Sequence, residues 1–169
     1  MQRKGDLSLS FGMIFSIILI IGILGVSFYA INYFLDLKKC TDYGLFIQDF
    51  EKKVVDAYNS DSIKLTFTGS LPSAIKEVCF GSFKSSSTLP EYQEIKRVYG
   101  STNGNMFFYP IASAVDICGK AAYRNIEHLN TDRLGGFTCF QVKSGKLTLK
   151  LEKGSFDDSV FIIKWVKKE

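Results

Sequence analysis

Four cysteines and one histidine are the side chains with the broadest chemical reach in this 169-residue chain. Cys40, Cys79, Cys118 and Cys139 are widely spaced and contain no C-x-x-C pair. That spacing does not fit a zinc site. An even number of dispersed cysteines fits two disulfides in an oxidising compartment, and four cysteines allow three pairings among which sequence does not choose. The alternative is four reduced thiols in the core. His128 is the single histidine. Its Glu127 neighbour does not make an H-E-x-x-H element, so His128 reads as a surface or locally bonded side chain rather than a general base. Gly100–Gly104 and Gly135-Gly136 lack the lysine and spacing of phosphate loops and read as turns. Asp157-Asp158 falls in another turn, where aspartate is favoured for backbone reasons. Nothing here calls for a metal or cofactor, and the chain is expected not to be an enzyme.

The charges do not name a partner either. Lys and Arg number 21 against 17 Asp and Glu, a balance of +4, and the two signs are interspersed. The many aromatics do not alternate with a basic stripe, so a nucleic-acid surface is not expected.

The segment that must position everything else is apolar. From Leu7 to Leu35 there is no Asp, Glu, Lys, Arg or His. A bilayer-spanning helix needs about 20 apolar residues, and a cleavable secretory core is shorter. Residues 7–35 are therefore expected to be a transmembrane helix, with lipid as the first partner. Residues 1–6 precede it, and residues 36–169 suffice for one domain. Flanking charge is nearly balanced, with Arg3 and Lys4 before the helix and Lys38 and Lys39 after it. The short tail and the cysteines place residues 36–169 outside the cytoplasm. Within the helix, Gly12, Ser16, Gly22, Gly25 and Ala30 would let another helix, including one from a second copy, approach closely.

Met1 to Ser10 reads Met-Gln-Arg-Lys-Gly-Asp-Leu-Ser-Leu-Ser, a short basic segment ending in Lys4-Gly5 just before the apolar run. This resembles the class III signal peptide of archaeal type IV pilins and archaellins. The resemblance covers Arg3 to Leu35. It implies cleavage by a prepilin peptidase between Gly5 and Asp6, with the apolar helix retained on the mature protein. The bacterial pattern has Glu at the fifth mature position; Ser10 stands there in this chain. The remainder, including Val78-Cys79-Phe80 and Phe107-Phe108-Tyr109-Pro110, looks similar to membrane-anchored archaeal proteins, a likeness that brings no function with it.

Beyond the apolar run, Tyr43, Phe46, Ile47, Phe50, Val54 and Tyr58 recur at steps of three and four, a helical stripe. Two readings are open. One is a single helix from Leu7 to Tyr58, about 78 Å long and bent near Lys39–Gly44. The other is a break followed by a separate helix capped by Thr41 or Asp42. The period then becomes two: Ile63, Leu65 and Phe67 predict a strand, and Ile75–Phe80 a second. Gly81–Pro90 reads as a loop, Glu91–Tyr99 as a short helix, and Met106–Tyr109 as a strand stopped by Pro110. Ala121–Leu129 leans helical. Phe137–Val142, Lys146–Leu151 and Val160–Val166 read as an antiparallel β-meander turning at Ser144-Gly145 and Gly154–Asp158. The expected class is α+β: an N-terminal helix, then a small domain of mostly antiparallel strands.

Overall fold

The computed structural model describes residues 11–84 and 87–163. Helix α1 runs from Phe11 to Tyr58 without interruption. No break opens between Lys39 and Gly44, so the separately capped helix is not formed. Uninterrupted helix follows from the lack of proline and from the paucity of glycine over this stretch. The chain divides into two units, with the boundary between Lys38 and Lys39.

In the first unit the large apolar side chains from Met13 to Leu37 are exposed around the whole circumference. An apolar surface on every side is the pattern of a helix whose solvent is not water. An 18-residue window of the helix has a mean hydropathy of 2.6, and by length and composition the helix is long and apolar enough to cross a membrane.

The second unit is built on the far end of α1. Tyr43, Phe46, Phe50, Val54 and Ala57 are buried, while Lys52, Lys53 and Asp56 face solvent. Among the described residues, eight strands follow in two four-stranded sheets. The first sheet has the order β1 (Ile63–Ser70), β7 (Lys146–Lys153), β8 (Val160–Ile163), β5 (Leu129–Asn130). The second has the order β4 (Tyr123–Arg124), β3 (Met106–Tyr109), β2 (Glu77–Phe80), β6 (Thr138–Gln141). All pairings are antiparallel except β5 with β8. The α1 stripe touches both sheets. Phe50 lies 5.1 Å from Phe67 of β1 and 5.8 Å from Phe80 of β2, and Tyr43 lies 4.7 Å from Phe108 of β3. Such ring pairs contribute about 0.5–1.5 kcal/mol each beyond their burial. Gly69 in β1 is required by this packing: a Cβ there would lie 2.5 Å from the Phe46 ring and 2.8 Å from that of Phe67. The other face of the second sheet is covered by α2 (Pro90–Tyr99), with Phe83, Tyr92, Phe107 and Phe137 in one aromatic cluster.

Two expectations are corrected. Ala121–Leu129 is not helical. The helix here is α3, Ile111–Cys118, ended by Gly119 in the left-handed conformation with its N–H on Val115 O. Beyond it the backbone is claimed by non-local partners: Phe108 N donates to Ala122 O, and Asn105 N to Arg124 O. Tertiary bonds of this kind override a weak helical preference. The C-terminal strands are also not one meander. The Ser144-Gly145 turn forms, with positive φ at both residues and reciprocal bonds between Lys143 and Lys146. The strands then part. Val142 N donates to Lys76 O, and Leu71 N donates to Gly145 O, so the β1–β2 connection threads between them. β6 joins β2 while β7 joins β1, and only β7 and β8 remain a hairpin. Leu147, Leu149 and Leu151 alternate inward as expected. Residues 164–166 of the anticipated last strand lie outside the described residues.

Candidate functional site

The proposed cleavage point at Gly5 and Asp6 lies outside the described residues. The helix-packing residues are all on α1, and helical geometry separates them. At about 100° per residue, Ser16 lies about 40° from Gly12, and Ala30 returns to the side of Gly12. Gly22 and Gly25 fall about 80° and 140° away in the opposite sense. The small residues therefore form two patches rather than one seam. Space beside Gly22 and Gly25 is open, with no atom within 4 Å of a Cβ built on either. Ser16 Oγ donates to Gly12 O at 2.8 Å and Ser27 Oγ to Ile23 O at 2.7 Å. Hydroxyls that bond their own helix can sit in an apolar medium without a stray donor.

The four cysteines form two disulfides. Cys40 of α1 is joined to Cys118 at the end of α3, and Cys79 of β2 to Cys139 of β6. The second pair sits at directly opposed positions on neighbouring strands. The separations of 78 and 60 residues make both bridges long-range, and loop closure of that size removes roughly 4 kcal/mol each from the unfolded chain's entropy. The Glu77 carboxylate and the sulfurs of Cys79 and Cys139 lie within 4.8 Å of one another. Bridged sulfurs carry no thiolate, so this trio is not a ligand set. Burial, then the charge of Glu91, raises the Glu77 carboxyl above its ordinary range. Nearby, a hydrogen bond with Glu94 is the main cause that raises the Tyr109 hydroxyl.

His128 is exposed and held with φ of 62°. Its ring lies flat on Tyr58, with centroids 3.7 Å apart and planes 11° apart. Lys153 Nζ holds the backbone at the end of α1, donating to Tyr58 O at 2.7 Å and Ser60 O at 2.8 Å. Asp157 is structural: its carboxylate accepts from Gly154 N and from Arg133 Nη2, and the Arg133 guanidinium lies 3.6 Å over the Phe161 ring. The Gly100–Gly104 and Gly135-Gly136 segments are turns. Sequence reasoning did not single out Asn105, whose amide ties the chain around Ile126, nor Arg133. An asparagine just before a strand is a weak local signal, and its partners are 21 and 24 residues away.

Compared with family models, curated proteins and solved structures, the chain matches none.

Proposed function

We propose that this chain is a membrane-anchored, single-pass protein whose disulfide-bonded α+β domain lies outside the cytoplasm and has a structural or interaction role. The observation that carries the reading is the apolar surface of α1 from Met13 to Leu35, exposed on every side and free of charged residues. Such a surface is stable in lipid or against other apolar helices and costly in water. The two disulfides support an oxidising compartment. The Lys4-Gly5 junction before the apolar run supports processing of the pilin type, with α1 retained for assembly into a filament. In this reading the chain is not an enzyme.

A second reading is a signal-anchored surface protein that binds a partner and does not polymerise. The division of Gly12, Ser16 and Ala30 from Gly22 and Gly25 favours it, because a single close-packed helix seam is absent among the described residues. Mass spectrometry of the native N-terminus separates the two. A mature chain beginning at Asp6 supports the filament subunit. A chain that keeps Gln2 to Gly5 removes that reading and leaves the anchored binding domain.

A further inference from the structure

Three depressions on the second unit meet at one short segment. One of about 450 Å³ lies between Ser82–Lys84 and the turn Thr102–Asn105. A second, about 320 Å³, lies between the same Ser82 and Lys84 and the stretch His128–Asp132. A third, about 230 Å³, continues from Ser82 to Gly135-Gly136. Ser82 lines all three and Lys84 two of them, and the adjoining depressions are treated together as one trough.

Its chemistry is narrow. Among the described residues that line it, the charged groups are one cation, Lys84, and one anion, Asp132, and His128 lines it as well. Polyanions such as nucleic acid need several cations on one track, so the trough does not suit them. Phe83 and Leu129 add apolar wall beside the polar groups. The remaining side chains are mostly hydroxyls and carboxamides, which both donate and accept. Asn103 is exposed, and no hydrogen bond within the described residues engages the side chains of Ser82, Thr131 or Ser159. Glycines at 135 and 136 keep the backbone reachable at one end.

The trough is also held in shape. The Asn105 amide bonds the backbone of Ile126 and Leu129, fixing the segment that carries His128. His128 keeps a left-handed backbone, uncommon for a residue with a side chain, and its ring is set flat on Tyr58. A fixed, exposed aromatic face beside neutral donors and acceptors matches a ligand with C–H faces and many hydroxyls. We propose that the trough binds an uncharged saccharide chain, with the His128 ring as its stacking floor and Ser82 and Asn103 hydrogen-bonding along it. This goes beyond the anchored role above and holds whether or not the helices assemble.

The test is saturation-transfer NMR on the full chain in lipid nanodiscs, free of sugar-based detergent. The probes are neutral hexasaccharides, maltohexaose, cellohexaose, mannohexaose and chitohexaose, with dextran sulfate as the sulfated control. At least one is expected to receive saturation. Ser82→Trp, which fills the junction, is expected to weaken binding about tenfold, and His128→Ala or Asn103→Ala about threefold or more. Val55→Trp, outside the trough, should leave binding unchanged. Near-UV circular dichroism reports folding, and Asn103→Ala decides the matter if Ser82→Trp misfolds. The proposal is overturned if no probe receives saturation, if folded trough variants bind like the parent, or if only sulfated polysaccharide binds and salt removes it.

Discussion

Asn105 and Ile126 form a closed two-bond ring: Asn105 Oδ1 accepts from Ile126 N at 2.8 Å, and Asn105 Nδ2 donates to Ile126 O at 2.9 Å. The amide thus copies a strand partner for one residue of an irregular segment, and a third bond to Leu129 O at 3.2 Å extends the grip. Asn105→Ala leaves backbone groups of Ile126 without partners, at about 1–3 kcal/mol for each that stays dry. The expected result is a loss of roughly 3 kcal/mol in chemical denaturation and faster exchange of the Ile126 amide proton. An unchanged Ile126 exchange rate would sink this account.

Tyr43 has the opposite problem. Its hydroxyl is buried without a hydrogen-bond partner among the described residues. Burial pushes its pKa up to about 12, with the charge of Arg124 opposing. Tyr43→Phe removes the orphaned group and should be neutral or stabilising by about 1 kcal/mol. The pH dependence has a definite sign. The folded state keeps the proton when the unfolded state has lost it, so this contribution is fully present below about pH 10 and is lost as pH rises towards about 12. Denaturation midpoints should fall from pH 9 to 11 less steeply in Tyr43→Phe than in the parent. Equal slopes would show that Tyr43 is not responsible.

The bridges are checked by non-reducing peptide mapping, which should recover Cys40 joined to Cys118 and Cys79 joined to Cys139. Replacing either pair with serine should lower stability by roughly 4 kcal/mol if chain entropy governs. If alkylation of the unreduced, denatured protein labels all four cysteines, the oxidised framework is wrong.

The apolar surface of α1 makes a prediction about solvent. Leu24→Lys places a charge in the middle of the uncharged run and should weaken membrane insertion by about 2.5–3.5 kcal/mol. Alkaline extraction of membranes should release this variant more readily than the parent. Leu45→Lys, on an exposed position of the second unit, should stay with the membrane as the parent does. Equal release of both variants would count against an embedded helix.

What could be read in the chain beforehand was local. The helical steps from Tyr43 to Val54, the alternation at Leu147–Leu151, and the strand Met106–Tyr109 each carry their own period, and each appears where that period puts it. Tyr58, the last residue of the expected stripe, is only half-buried and serves as the bed for His128. What escaped depended on distant partners. Residues 121–129 took their conformation from Asn105 and β3, and β6 pairs with β2 rather than with its sequence neighbour β7. Cysteine pairing was open for the same reason: Cys79 and Cys139 meet through strand register that spacing does not encode. The trough was invisible because serine, threonine and asparagine are ordinary loop residues, and only their convergence on Ser82 sets them apart.

The Cys40–Cys118 bridge has a mechanical meaning. If tension arrives at Cys40 and the resisting end lies beyond Cys118, the sulfur bond offers a covalent shortcut past everything between them. The by-passed chain, 77 residues if counted between a pair 78 apart, would pay out about 260 Å of slack when pulled straight with the Cys79–Cys139 bridge open as well. With the bridge intact, the buried aromatic stripe of α1, β1 to β3 and α2 carry none of that pull. Reducing both bonds would turn a short tether into a long, compliant one.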